Sequence, residues 1–96
     1  MGFKKLRGVK LSRNRQGYVR YTCLTYADQS QTVREKISRL CTRIGGEEYA
    51  AALWEMLCTE ESATSIALRH CVSESQLYKL RKQFFEAWYK RGQKSR

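Results

Sequence analysis

Proline is absent from this chain and histidine occurs once, at position 70. Without proline, glycines and helix-capping residues must supply the punctuation between elements. No internal repeat and no low-complexity stretch interrupts the sequence. No apolar run approaches the roughly 20 residues that span a bilayer, so no membrane partner is expected. The N-terminus is basic and lacks the apolar core of a signal peptide, which predicts a cytoplasmic protein.

Several kinds of chemistry are missing as well. The four cysteines, Cys23, Cys41, Cys58 and Cys71, lie far apart and form no Cys-x-x-Cys pair. With only His70 to add, they give a zinc site little support. Three of them fall in helical segments on or beside apolar faces, where a free thiol packs as a small hydrophobe, so reduced cysteines are expected. His70 and Cys71 are adjacent, but neighbours in sequence seldom aim their side chains at each other, and no third group completes a catalytic set. There is no glycine-rich phosphate loop, no acid pair and no metal box. No enzyme activity and no cofactor are expected.

What the chain does have is positive charge, unevenly placed. Its 96 residues suffice for one domain, and 42% hydrophobic content with two tryptophans and three phenylalanines provides core material. The net charge is +10. Residues 1–20 hold seven cations and no acid; residues 21–73 hold five cations and seven acids; residues 74–96 hold seven cations against Glu74 and Glu86. The middle is nearly neutral and the charge sits at both ends. Such segregation suits a surface built to meet a polyanion.

Periodicity divides the chain into segments 1–26, 27–91 and 92–96. The first is a basic arm or short β-hairpin, because Tyr18 to Tyr26 is rich in β-branched and aromatic residues and residues 14–17 can turn the chain before it. The second is helical. Asp28 and Gln31 have the spacing of a capping box, and Val33, Ile37, Leu40 and Ile44 then share one face until Gly45 and Gly46. A second helix runs from Glu47 to Cys58, with acids in its first turn and a stripe of Tyr49, Ala52, Leu53, Met56 and Leu57. The third segment is a short basic tail.

The sharpest pattern lies between Ser62 and Arg91. Ser62 caps a helix covering Ala63 to Arg69, and His70 and Cys71 make a turn. Ser73 and Gln76 then form another capping box, opening a helix that buries Leu77, Leu80, Phe84 and Trp88. Ala67 is small enough for a close helix crossing, and Val72 plugs the space behind the turn. Ser75, Tyr78, Lys79 and Lys82 lie on the opposite face, with Glu86 and Lys90 further along, about half a turn from the buried stripe. The aromatic group Phe84, Phe85, Trp88 and Tyr89 reads first as core; Phe85 and Tyr89 fall at the stripe's edge, so the alternative for one of them is a contact with a second copy.

This segment resembles the helix-turn-helix of sigma-factor region four and of small regulators encoded by phages and conjugative elements. The matching residues are Ile66-Ala67 in the first helix, Val72-Ser73 at the turn, and Leu77 and Leu80 in the second. Cys71 stands where such motifs usually carry glycine, which tolerates a left-handed backbone. The resemblance implies an all-α fold: a four-helix domain with a C-terminal helix-turn-helix and the basic arm or hairpin before it. It implies that the helix starting at Glu74 enters the major groove of double-stranded DNA, with Ser75, Tyr78, Lys79 and Lys82 facing bases and phosphates and Ser73 offering its hydroxyl and nearby N–H groups to a phosphate. Lys4, Lys5, Arg7 and Lys10 would track the backbone or enter a minor groove.

The function so implied is sequence-specific DNA binding by a transcriptional regulator of a mobile element, with RNA polymerase or a second copy as further partners. A DNA packaging or recombination factor would use the same motif. The alternatives of another class are an RNA-binding module using the tyrosine-rich N-terminus and a domain that binds protein through the face assigned to DNA.

Overall fold

The computed structural model describes residues 13–89, which form four α-helices and one 3-10 turn, with no strand among them. The helices are α1 (Arg13–Leu24), α2 (Gln31–Cys58), α3 (Ala63–His70) and α4 (Glu74–Trp88). None of the described helices is long and apolar enough to cross a membrane.

The strand expected at Tyr18–Tyr26 does not form; α1 occupies most of that segment, so the residues from 13 onward belong to the helical core rather than to an arm or hairpin. Gln16, Val19, Thr22 and Cys23 recur along one face and are buried there. A helical face packed on α2 and α4 outweighs the weak, context-dependent strand preference of tyrosine, valine and threonine. The threonines fit the helix by hydrogen-bonding back one turn: Thr22 Oγ1 donates to the Tyr18 carbonyl at 2.7 Å, and Thr25 Oγ1 to that of Tyr21 at 2.8 Å.

The expected Asp28–Gln31 capping box is also replaced. Asp28 ends the 3-10 turn Tyr26–Asp28, and Ser30 caps α2 by accepting a hydrogen bond from the Val33 N–H at 3.3 Å. The two helices expected on either side of Gly45–Gly46 are present as the limbs of α2, parted at Gly46, where φ is 68° and ψ is −171°. A side chain would strain that backbone. Gly45 is needed for space: a Cβ there would stand 3.0 Å from the Ala50 backbone nitrogen.

Serine caps start the last two helices as expected. Ser62 Oγ accepts from the Ser65 N–H at 3.1 Å, and Ser73 Oγ from the Gln76 N–H at 3.2 Å. Between them Cys71 is left-handed, with φ 56° and ψ 45°, and the Val72 N–H returns to the Ala67 carbonyl at 3.0 Å. This closes α3 as glycine usually does. The Cβ of cysteine in that conformation costs about 1–2 kcal/mol.

Two clusters fill the interior. The larger gathers Val19 and Cys23 of α1, Ile37, Leu40, Cys41, Leu53 and Leu57 of α2, and Leu80, Phe84, Phe85 and Trp88 of α4. The smaller joins Ala52 and Met56 of α2, Ala63, Ile66 and Ala67 of α3, and Leu77 of α4. Phe85 is 1% exposed, so it is core and offers nothing to a second copy. It joins a cluster built from α1, α2 and α4, which the pattern of α4 alone does not reveal. Tyr89 is half-buried against α1, with the Arg15 guanidinium 5.0 Å from its ring centre and its hydroxyl donating to the Arg15 carbonyl at 3.3 Å.

Candidate nucleic-acid interface

Helix α4 is anchored by Leu77, Leu80, Phe84, Phe85 and Trp88. Ser75, Tyr78, Lys79 and Lys82 project on its exposed side, so the structure brings these four candidates together on one element. A face held this way is positioned by the core behind it rather than by its own contacts. Tyr78 is 44% exposed; its hydroxyl donates to Glu74 Oε2 at 3.4 Å, and its ring has the Arg81 guanidinium 5.2 Å from its centre. No ion pair engages Lys79 or Lys82 among the described residues.

Ser73 is more committed than its sequence position implies. Its Oγ holds the Gln76 N–H and lies 3.3 Å from Ser75 Oγ, while its own N–H donates to the Tyr49 hydroxyl at 3.2 Å. The Ser73, Gln76 and Leu77 N–H groups at the start of α4 are therefore already engaged. Lys4, Lys5, Arg7, Lys10 and Lys90 lie outside the described residues.

Cations elsewhere in the described residues are used to hold the fold. Arg20 Nη1 donates to the carbonyls of Met56 and Leu57 at 2.8 and 3.0 Å, and Nη2 to that of Thr59 at 3.3 Å, sealing the C-terminal end of α2. Lys36 Nζ donates to the Trp88 carbonyl at 3.0 Å and stands 4.0 Å from the centre of a Trp88 ring, tying α2 to the end of α4. Arg69 pairs with Glu55 and Glu61, and His70 Nε2 lies 3.1 Å from Glu55 Oε2, which fixes α3 on α2. The Arg69 guanidinium holds the Glu55 carboxyl below its ordinary range, with burial opposing and His70 assisting.

The described residues contain no cluster of three or more acidic, histidine or cysteine side chains fit to hold a metal. The four cysteines are free; Cys41 is pushed up to about 12, by burial first and by Cys58 second, and Cys23 is raised by its hydrogen bond with Cys58 and by burial.

Arg81 escaped notice in the sequence. It sits at the edge of α4 toward the core, with Nε buried and without a hydrogen-bond partner. The available signal was its position three residues beyond Tyr78, which stacks the two side chains.

Comparison of the chain with known protein families, curated proteins and solved structures found no match.

Proposed function

We propose that this protein binds double-stranded DNA, with α3, the Cys71 turn and α4 acting as a helix-turn-helix and the outer face of α4 reading the major groove. The observation that carries this is the division of α4: one stripe locked into both core clusters, the other presenting Ser75, Tyr78, Lys79 and Lys82 together. Lysines and a tyrosine hydroxyl on a rigid helix suit phosphate oxygens and base edges. The excess of cations at both ends of the chain adds a field that draws a polyanion in. By its resemblance to regulators from phages and conjugative elements, the protein would act by occupying a site, as a regulator of transcription.

The test is a salt titration of binding to duplex DNA. Replacing Lys79 and Lys82 together by alanine removes two phosphate contacts, so the slope of log affinity against log salt should flatten by about 2. An unchanged slope in a folded double variant refutes this use of α4.

A second possibility is favoured by α1, where Tyr18 and Tyr21 are 57% and 66% exposed and share the solvent side of the helix. Exposed aromatics of this kind stack on unpaired bases. If single-stranded RNA is the ligand, Tyr18→Ala with Tyr21→Ala will weaken binding more than the lysine pair does.

A further inference from the structure

Most cations whose contacts are known in this fold have a counterpart. Arg69 has two carboxylates, Lys36 has a carbonyl and a ring, and Arg20 has three carbonyls. Among the described residues Arg81 has the face of Tyr78 and no ion pair. Its Nε is shut off from solvent and makes no hydrogen bond, and it is the one buried side-chain nitrogen or oxygen in that condition among the described residues. The side chain as a whole is only partly buried, so the guanidinium is not wholly sealed in the protein.

The surroundings make this arrangement costlier. Burial depresses the guanidinium's affinity for its proton, and the neighbouring Arg20 charge adds to the effect. No carboxylate is paired with either arginine among the described residues. Arg81 is partly desolvated with one ring beside it, and the described residues offer it no anion. A partly buried guanidinium set against an aromatic ring matches two oxygens of a tetrahedral oxyanion, which a flexible ammonium cannot do in the same planar way.

We propose that Arg81, braced by the Tyr78 ring, is an anion site that seats one phosphate of the DNA backbone beside the face presented by Lys79 and Lys82. The choice of backbone phosphate as the anion rests on the DNA-binding function proposed above; the oxyanion chemistry would be shared with free phosphate. Arg81 is then a clamp that sets how far α4 enters the groove, and it extends the contact surface toward α1.

The experiment uses the full chain with a random-sequence duplex and, separately, inorganic phosphate. Side-chain NMR follows the Arg81 Nε–H, which should give a slowly exchanging signal because it is buried. Duplex should shift that signal, and inorganic phosphate at the same phosphate concentration should shift it far less. Arg81→Gln should flatten the salt slope by about 1 and weaken binding several-fold, while Arg81→Lys restores the slope and leaves the affinity reduced. An equal shift with inorganic phosphate overturns the backbone assignment. An unshifted Arg81 signal with duplex, or an unchanged slope in folded Arg81→Gln, overturns the clamp even if the lysine pair still matters. If the wild type binds no duplex, the DNA function fails on its own. The phosphate titration then decides the anion site, and no shift overturns it. Should Arg81→Gln not fold, the wild-type NMR signal still gives the answer.

Discussion

The two interior clusters are built from different materials. Around α1 and the far end of α4, the core is bulky, with Phe84, Phe85 and Trp88 against Ile37, Leu53 and Leu57. Around α3 it is made largely of small residues, Ala52, Ala63 and Ala67 with Met56, Ile66 and Leu77. Large side chains bury more apolar area, at about 25 cal/mol per Å², so the first cluster carries most of the stability. Small ones let backbones approach, so the second fixes where α3 and the start of α4 sit. Each region also has its own polar fastening. Arg20 and Lys36 cap helix ends at the large cluster, whereas the Glu55, Glu61, Arg69 and His70 group holds α3 from outside. The fold is thus stabilised at one end and positioned at the other, and α4 runs through both.

Opposite changes in the two clusters will expose this division. Phe84→Ala should cost about 3–5 kcal/mol and lower the urea midpoint of the whole domain, because a cavity opens where α1, α2 and α4 meet. Ala67→Leu should cost about 1–3 kcal/mol by overpacking and act mainly on α3. Hydrogen exchange separates them: the first should raise exchange everywhere, the second chiefly in α3 and the first turn of α4. Equal effects across all helices from Ala67→Leu would mean that the two clusters behave as one.

What the sequence revealed follows the same division. The starts of α3 and α4 were legible because Ser62 and Ser73 satisfy N–H groups only three residues away. So was the break in α2, since glycine marks it whatever packs nearby. The outward set of Ser75, Tyr78, Lys79 and Lys82 followed from helical periodicity alone. Helix α1 was hidden because its deciding contacts come from residues tens of positions away, against a local composition that favours a strand. The role of Arg20 was hidden for the same reason: it looked like one more cation of a basic arm, yet its partners are carbonyls at Met56, Leu57 and Thr59. Burial of Phe85 could not be foreseen from α4 alone, because the cluster it joins is shared with α1 and α2.

The turn gives a smaller and opposite effect. Cys71 holds a left-handed backbone, the one such non-glycine residue among those described. Cys71→Gly removes the steric penalty of Cβ and adds unfolded-state entropy, so a net gain of about 0.5–1 kcal/mol is expected. A raised urea midpoint with unchanged slope would locate strain in the positioning half of the molecule. No gain would mean that the thiol, 3.9 Å from the Leu68 carbonyl, compensates for its backbone.

The outer fastening of α3 should show itself through pH. In the folded protein Glu55 titrates below its ordinary value of 4.5, chiefly because Arg69 hydrogen-bonds the ionised form, and His70 adds to the effect. A carboxylate with a depressed folded value binds protons more readily when unfolded. Its contribution is therefore complete above about 4.5 and fades as the pH falls through the lower folded value. The partners are partly exposed and solvent screens them, so the contribution is on the order of 1 kcal/mol or less. Glu55→Gln should accordingly be less stable than the wild type near neutrality, and the two should converge in acid. Added salt should narrow the gap at neutral pH, since the charges lie at the surface. The loss should appear as faster exchange in α3, with the Phe84 cluster protected as before. A gap that persists unchanged at pH 2 would show that Glu55 acts through packing, and the positioning half would then depend on its small side chains alone.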